Sequence, residues 1–377
     1  MSDSRGRILF VYDGKMNKLG CDLSTHHMLI GLVKAGYTVD FISRGRVDIP
    51  GVRSIRHRLL AAKLFSSFSA RTYGAVRRRY VSWLGKRMLD RNPDYVCVMA
   101  WAQSCLAMFQ RAGELGIPRI LHSGNNISPR TMPEHLSRRW PAVTPEYKYA
   151  EYQLCSGIAV ISEACKQTYV EAGIPAERVC CIGRGADLSA YYPPEKPPEK
   201  FIALFCGAIG DRKGALQVLK AWREAALSDA ELWFLGKVQA QIRDEFNALL
   251  DDSVKVLGHR DDVPDLMRSA SIQFMLSSND GPAKAFLEGA ACGLASITTP
   301  ESNFPVDGGR IGFHVGREDQ AASVEKLRFL HANPKALQTM REAAADYAKQ
   351  HFSWDAVHQQ MGDCVTACIE RETKGAS

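Results

Sequence analysis

Residues 277–300 read SSNDGPAKAFLEGAACGLASITTP and directly follow the apolar run Ile272 to Leu276. The apolar run has the length of a buried strand, and the small residues after the Gly/Pro loop predict a closely packed helix. This order places Asp280 at the mouth of the loop and Glu288 about two helical turns further on. Loop amides and a helix N-terminus attract phosphate, and a nearby carboxylate accepts ribose hydroxyls, so the stretch predicts a nucleotide site.

The alternation of strand and helix extends along the chain in both directions. Short apolar runs alternate with longer amphipathic stretches, which predicts parallel strands covered by helices on both faces. Residues 192–200 read YPPEKPPEK, and their prolines predict an extended linker. The sequence therefore predicts an α/β protein with two Rossmann-like domains, residues 1–192 and 201–352, joined by a linker at 193–200.

Composition is typical of a soluble globular protein of the cytoplasm. Of the 377 residues, 46% are hydrophobic, which is enough to fill two ordinary cores. No run approaches the roughly 20 apolar residues of a membrane-spanning helix, and we expect no signal peptide at the N-terminus. The eleven cysteines lack metal-ligand spacing, so we interpret them as reduced core or helix residues.

A basic loop follows the predicted strand Phe201 to Cys206. Its sequence, residues 207–214, is GAIGDRKG. The loop amides and the positive charges of Arg212 and Lys213 suit a diphosphate, although a solvated basic turn is the alternative interpretation. Combined with residues 277–300 in the same half, the loop predicts one nucleotide-diphosphate site.

These motifs resemble the retaining GT-B glycosyltransferases of family 4, also called glycosyl transferases group 1. Residues 280–288 resemble the family's E-x7-E segment, and residues 207–214 resemble its basic phosphate loop. Residues 352–354, Phe-Ser-Trp, and the stretch after them are similar to its terminal helix. The resemblance implies two Rossmann-like domains facing across a cleft, with helix 353–372 crossing back to the N-terminal, acceptor-side domain.

The resemblance also implies a role for each matching residue. Glu288 would hold the donor ribose, Arg212 and Lys213 the diphosphate, and Asp280 the hydroxyls of the transferred sugar. His122, at the end of the predicted strand Arg119 to His122, matches a histidine near the reacting sugar, so His122 and Asp280 are the catalytic candidates. The remaining donor-binding candidates are Gly20, Gly281, Ala283 and Lys284.

Departures from the family's pattern bear on the choice of donor. Asp280 replaces the usual Glu and is one methylene shorter. Ala208 stands where an Arg often follows the first Gly of the loop, which leaves more of the phosphate binding to Arg212. Lys284 is unexpected beside the site: it either neutralises an acidic donor sugar or extends outward from the helix start.

The mechanism implied by the resemblance is retention, with attack from the leaving-group face and no protein nucleophile. Arg212, Lys213, the loop amides and the helix dipole would stabilise the leaving diphosphate. The sequence has no convincing carboxylate cluster for a metal. We therefore expect no cofactor and no metal requirement, with a nucleotide-diphosphate sugar as co-substrate.

A basic stretch in the first half bears on the acceptor. Between Arg53 and Arg91 there are eleven Lys or Arg residues and one acid, interleaved with aromatic and aliphatic residues. Arg77, Arg78 and Arg79 lie within it. The stretch suits an anionic membrane surface or a lipid-linked, phosphorylated acceptor, and no nucleic-acid recognition motif accompanies it. An ordinary solvated helix pair is the alternative interpretation.

The sequence thus predicts a metal-independent hexosyl- or related glycosyltransferase that moves a sugar from a nucleotide donor to a glycan or lipid-linked glycan. Cell-envelope polysaccharide, lipopolysaccharide or glycolipid synthesis would be its context. A noncatalytic GT-B scaffold and a nucleotide-sugar epimerase of the same fold are the alternatives. We expect the protein in the cytoplasm, either free or peripheral on the inner face of the cell membrane.

Overall fold

The computed structural model describes residues 4–17, 20–57, 70–124, 145–280 and 283–375. Backbone contacts divide the chain into two units: Met1–Gly183 with Asp355–Ser377, and Arg184–Trp354. Each unit contains one parallel sheet flanked by helices. The predicted α/β fold with two Rossmann-like domains is confirmed.

The central strands of the first sheet are buried on both faces. Its strands are β1 (Arg7–Val11), β2 (Thr38–Ser43), β3 (Val52–Arg56), β4 (Cys97–Trp101), β5 (Arg119–Ser123), β6 (Gly157–Val160) and β7 (Val179–Cys181). Within the described residues the strand order is β3-β2-β1-β4-β5-β6-β7, and all pairs are parallel. Successive side chains of a strand point to opposite faces, so Ile8 and Phe10 belong to one core layer and Leu9 to the other.

Helices cover both faces of the first sheet. They are α1 (Cys21–Lys34), α2 (Ala70–Arg91), α3 (Leu106–Glu114), α4 (Pro145–Leu154) and α5 (Glu163–Glu171). Buried Glu151 of α4 accepts the backbone N–H groups of Gln103 and Cys105, which fixes the start of α3.

The second unit repeats the arrangement. Its strands are β8 (Phe201–Cys206), β9 (Ala230–Leu235), β10 (Val254–Gly258), β11 (Ile272–Met275), β12 (Ala295–Thr298) and β13 (Gly312–His314). In the described residues their order is β10-β9-β8-β11-β12-β13. The helices are α6 (Ala215–Ala225), α7 (Arg243–Ala248), α8 (Val263–Ser269), α9 (Lys284–Ala291), α10 (Gln320–Ala332) and α11 (Pro334–His351).

The C-terminal helix α12 (Trp354–Gly375) packs on the first sheet, as the resemblance implied. Its buried residues Met361 and Val365 share a core layer with Ile8. Gly31 of α1 permits this packing, because a Cβ atom at that position would lie 2.9 Å from the carbonyl oxygen of His358. None of the helices in the described part of the chain has the length and hydropathy needed to cross a membrane.

Two sequence-based interpretations need correction. Cys180 of β7 and Cys364 of α12 form a disulfide with Cα atoms 6.0 Å apart, so not every cysteine is reduced. The two residues are 184 positions apart, and local spacing could not indicate their proximity. The basic stretch is not a helix pair throughout: Arg53 and Arg56 lie on β3, residues 58–69 fall outside the described residues, and the rest lies on α2.

Candidate functional site

The basic loop 207–214 connects β8 to α6 in the second unit. It ends at Gly214, whose backbone is left-handed with φ of 70°. A Cβ atom there would lie 2.1 Å from the carbonyl oxygen of Leu276, so the close approach of the loop to β11 requires glycine. The loop therefore lies at the carboxyl ends of β8 and β11, where ligands bind in open parallel sheets.

Backbone contacts join this loop to the stretch that follows β11. The amide of Ser278 donates to the carbonyl oxygen of Arg212 at 2.9 Å. The Arg212 guanidinium donates back to the carbonyl oxygen of Asn279 at 3.1 Å. The two segments that the sequence assigned to one site are thus brought together from positions 66 to 67 residues apart.

Asp280 binds both predicted phosphate-binding cations. Its carboxylate contacts the Lys213 ammonium and lies 3.2 Å from Nη1 of Arg212. Lys213 is buried, whereas the Arg212 side chain is 49% exposed. Burial lowers the pKa of Lys213, and the charge of Asp280 opposes that shift. The carboxylate thus keeps a buried ammonium charged, and a ligand phosphate at this place would face the same two cations.

The backbone of Asp280 is held from the segment after β12. Its amide donates to the carbonyl oxygen of Glu301 at 3.0 Å, and its own carbonyl oxygen accepts from the Asn303 side chain. Predicted Gly281 lies outside the described residues. Ala283 is buried and extended immediately before α9, so its position is fixed by packing.

Glu288 is buried on α9, yet its carboxylate is paired. Lys284 Nζ lies 2.8 Å from Glu288 Oε1, one helical turn away, while the Lys284 side chain is 43% exposed. Neither sequence-based interpretation of Lys284 included this partner. Tyr191, which sequence analysis missed, lies close enough to Glu288 for that carboxylate to influence its phenol. Burial and that carboxylate raise the pKa of the Tyr191 phenol. No motif marked Tyr191, which precedes the proline-rich segment.

His122 lies at the carboxyl end of β5 in the first unit. It pairs with Trp101 in the sheet register, and the two rings pack edge to face with centroids 4.3 Å apart. His122 is only 1% exposed. Gly20, a donor-binding candidate in the same unit, is an exposed residue with φ of 54° at the start of α1.

The three consecutive arginines of α2 do not share one surface. Arg77 bonds the carboxylate of Asp13, and its side chain is 19% exposed. Arg78 is half-buried, whereas Arg79 is exposed. Successive residues of a helix point about 100° apart, so the triplet divides between an inner and an outer face. Sequence analysis missed Asp13, which no motif marks.

Metal ligands do not cluster in the part of the chain that the structure describes. Among those residues, no three His, Cys, Asp or Glu side chains form a group that could hold an ion.

Two family models match adjacent parts of the chain. "Glycosyltransferase Family 4" matches residues 20–190, and "Glycosyl transferases group 1" matches residues 193–350. None of the curated protein sequences matches.

Solved structures of similar fold cover nearly the whole chain. Sucrose-phosphate synthase from Thermosynechococcus elongatus has a TM-score of 0.72 at 17% identity, covering 99% of this chain and 100% of its own. Anabaena HepE in complex with UDP has a TM-score of 0.69 at 16% identity, covering 96% and 100%. The lipopolysaccharide outer core galactosyltransferase WaaB has a TM-score of 0.70 at 12% identity, covering 96% and 99%. At these identities the similarity establishes a common fold.

Proposed function

The chain belongs to the GT-B glycosyltransferases of the family 4 type, and from this premise we propose its donor, its mechanism and its acceptor. The donor is a nucleoside-diphosphate hexose or related sugar, and the acceptor is a glycan or a lipid-linked glycan. The observation that carries the proposal is the cluster of Arg212, Lys213 and Asp280 at the carboxyl ends of β8 and β11, with buried Glu288 on the following helix.

The proposed donor site divides recognition among these residues. Arg212 and Lys213 bind the diphosphate, and the amides at the start of α6 add partial positive charge. Glu288 accepts the ribose hydroxyls, and Asp280 accepts hydroxyls of the transferred sugar. The UDP complex of similarly folded HepE supports a nucleotide donor for this chain.

The proposed reaction retains configuration and uses no metal. When the anomeric bond breaks, charge develops on the diphosphate, and Arg212 and Lys213 stabilise it in place of a divalent cation. Attack occurs from the leaving-group face, with the donor phosphate taking the acceptor proton. His122 lies at a strand end of the first unit, the acceptor-side domain, and acts there as a catalytic residue near the reacting sugar.

The proposed acceptor belongs to cell-envelope polysaccharide, lipopolysaccharide or glycolipid synthesis. Basic and aromatic side chains of α2 support an anionic acceptor or membrane surface. WaaB, whose fold is similar, is a lipopolysaccharide galactosyltransferase, which supports the same context.

Thermal unfolding with UDP, GDP, ADP and CMP, followed by sugar-release assays with the matching donors, tests the proposal. We expect one nucleoside diphosphate to stabilise the protein and its sugar derivative to be hydrolysed slowly in the absence of acceptor. Conversion of a nucleotide sugar into its epimer would instead identify an epimerase. If none of the nucleotides binds, the result would support the alternative that the protein is a noncatalytic scaffold.

A further inference from the structure

A second charged cluster lies in the first unit, at the carboxyl ends of three neighbouring strands. Asp13 follows β1, Arg44 follows β2 and His57 follows β3, while Arg77 reaches the same place from α2. The order β3-β2-β1 brings these strand ends to one edge of the sheet, the edge at which open parallel sheets bind ligands. The donor site described above lies in the other unit and uses none of these residues.

One carboxylate orients two guanidinium groups in this cluster. Asp13 Oδ1 lies 3.4 Å from Arg44 Nε, and Oδ2 accepts from Arg77 Nε. Arg44 Nε also donates to the Asp13 carbonyl oxygen at 3.2 Å. The Asp13 side chain is 8% exposed, whereas those of Arg44 and Arg77 are 29% and 19% exposed. The cluster therefore carries more positive than negative charge, and its cations remain accessible.

His57 gives the cluster a buried polar group in need of a ligand. Its side chain is 3% exposed, and within the described residues neither ring nitrogen has a hydrogen-bond partner. Its Nε2 lies 3.7 Å from Asp13 Oδ1, too far for a hydrogen bond. Burial lowers the pKa of His57, and although Asp13 opposes this, Arg44 and Arg77 lower it further. The ring is thus neutral at pH 7 and has one N–H to donate.

We propose that Arg44, Arg77 and His57 form a binding site for a phosphate group, with Asp13 as the residue that positions both arginines. A phosphate offers enough acceptor oxygens for two guanidinium groups and a ring N–H together, and arginine suits such planar, bidentate recognition. The assignment of this phosphate to the acceptor rests on the proposed function. This phosphate belongs either to a lipid headgroup or to a soluble sugar phosphate. Both carry the same chemical group, so the site itself does not distinguish them.

Histidine-ring NMR spectra of the full-length protein, recorded during titration with inorganic phosphate, test the site. We expect the His57 resonances to shift and its pKa to rise, because a bound anion favours the imidazolium. Arg44→Met and His57→Gln should weaken phosphate binding at least about tenfold, as loss of a charge-assisted hydrogen bond does. Lys86→Met is the matched control, since Lys86 is a partly exposed cation of α2 that pairs with Asp90.

The double variant Asp13→Asn/Arg77→Met removes Arg77 without leaving a buried carboxylate unpaired, and it should also weaken phosphate binding.

Dihexanoyl phosphatidic acid, titrated in parallel, distinguishes a lipid headgroup from a soluble sugar phosphate as the source of the phosphate. Tighter binding of this lipid supports a lipid-phosphate acceptor, and tighter binding of inorganic phosphate supports a soluble one. His57 resonances that respond to neither probe, or equal losses in Lys86→Met, would overturn the site.

UDP binding by the same variants separates this inference from the proposed function. We expect Arg44→Met to bind UDP as the wild type does. Protein that binds UDP but not phosphate contradicts only the phosphate site. Protein that binds phosphate at His57 but no nucleotide contradicts the proposed function and leaves the site standing.

Discussion

Asp280 shares its carboxylate between Lys213 and Arg212, so a donor diphosphate has to compete with it for the same cations. We therefore predict that Asp280→Asn raises the affinity for UDP, or for whichever nucleoside diphosphate binds, by about threefold to tenfold. Without nucleotide the variant should unfold at a lower temperature, because buried Lys213 loses its counter-charge. Calorimetric titration and thermal unfolding measure the two effects.

Asp211→Asn provides the control for that experiment. Asp211 lies in the same loop, but its side chain is 75% exposed and pairs with Arg317. We expect Asp211→Asn to change neither the nucleotide affinity nor the unfolding temperature appreciably. Weaker nucleotide binding by Asp280→Asn would mean that Asp280 supports the diphosphate site rather than competing with it.

A second prediction at the scale of single residues concerns Glu288 and Lys284. Glu288→Ala should weaken nucleoside-diphosphate binding by about 1.5 to 3 kcal/mol, because it removes a charged acceptor for the ribose hydroxyls. Lys284→Met should leave UDP affinity unchanged or slightly higher, because Lys284 pairs with Glu288 in this structure. A selective loss of affinity for UDP-glucuronate in Lys284→Met would instead support the acidic-sugar interpretation.

At the scale of elements, α2 presents an outer stripe of exposed residues at helical spacing: Arg79, Trp83 and Arg87. The Arg87 guanidinium lies 5.3 Å from the Trp83 ring centroid. Each basic residue near an anionic leaflet contributes about 1 kcal/mol, and the attraction decays within about 8 Å at physiological salt. We predict that Arg79→Glu/Arg87→Glu releases the protein from phosphatidylglycerol vesicles in flotation assays.

The matched control places the same charge change on another element. Lys335→Glu/Lys349→Glu alters two exposed lysines of α11 and should leave vesicle binding intact. Arg77 is excluded from the test because it bonds Asp13 inside the first unit. If the wild-type protein does not float with anionic vesicles at low salt, the membrane-binding prediction is wrong and the stripe is a solvated helix face.

Strands β2 and β3 are joined by a charge pair that makes stability depend on pH. Arg53 donates to both carboxylate oxygens of buried Asp40 at 2.6 Å, and Tyr95 donates to one at 2.7 Å. Burial alone would raise the pKa of Asp40, but these hydrogen bonds outweigh it and hold the pKa below its usual value. The stabilisation is therefore full above the unfolded pKa of about 3.9 and is lost as pH falls through the folded pKa.

Arg53→Met should accordingly lower the free energy of unfolding by about 1 to 3 kcal/mol at pH 7. The difference from the wild type should begin to shrink as the pH falls below about 4 and should continue to shrink until Asp40 is protonated in the folded wild type, at its lowered pKa. Urea unfolding of both proteins at pH 7 and pH 3.5 measures this difference in the free energy of unfolding. A difference that does not depend on pH would assign the effect to packing of the arginine stem.

For the whole molecule, sequence pattern predicted the elements better than it predicted their partners. Strand periodicity is local, so the runs that became β8 and β11 were recognised. The rule that ligands bind at carboxyl ends of parallel strands then joined their loops. The edge strands β3 and β13 were missed, because their sequences, VRSIR and GFH, contain no continuous apolar run.

Side-chain partners escaped prediction because they depend on three-dimensional packing. Lys213 and Asp280 were both candidates, yet their ion pair spans 67 residues. The Asp13 carboxylate contacts Arg77 across 64 residues, and although Arg77 belongs to the predicted basic stretch, no motif marks Asp13. His57 was part of a basic stretch, and only the position of β3 shows that its ring is buried.

The proposed metal independence concerns the whole enzyme and provides the last prediction. Two cations and the start of α6 converge on the proposed diphosphate site, so they can stabilise the leaving group without a divalent ion. EDTA should therefore leave sugar transfer intact, while Lys213→Met should lower kcat about a hundredfold or more and bind nucleoside monophosphate almost normally. Adding Mg²⁺ should not rescue Lys213→Met. Loss of transfer in EDTA, reversed by Mg²⁺ or Mn²⁺, would show that the two side chains do not suffice and that a metal carries part of the charge.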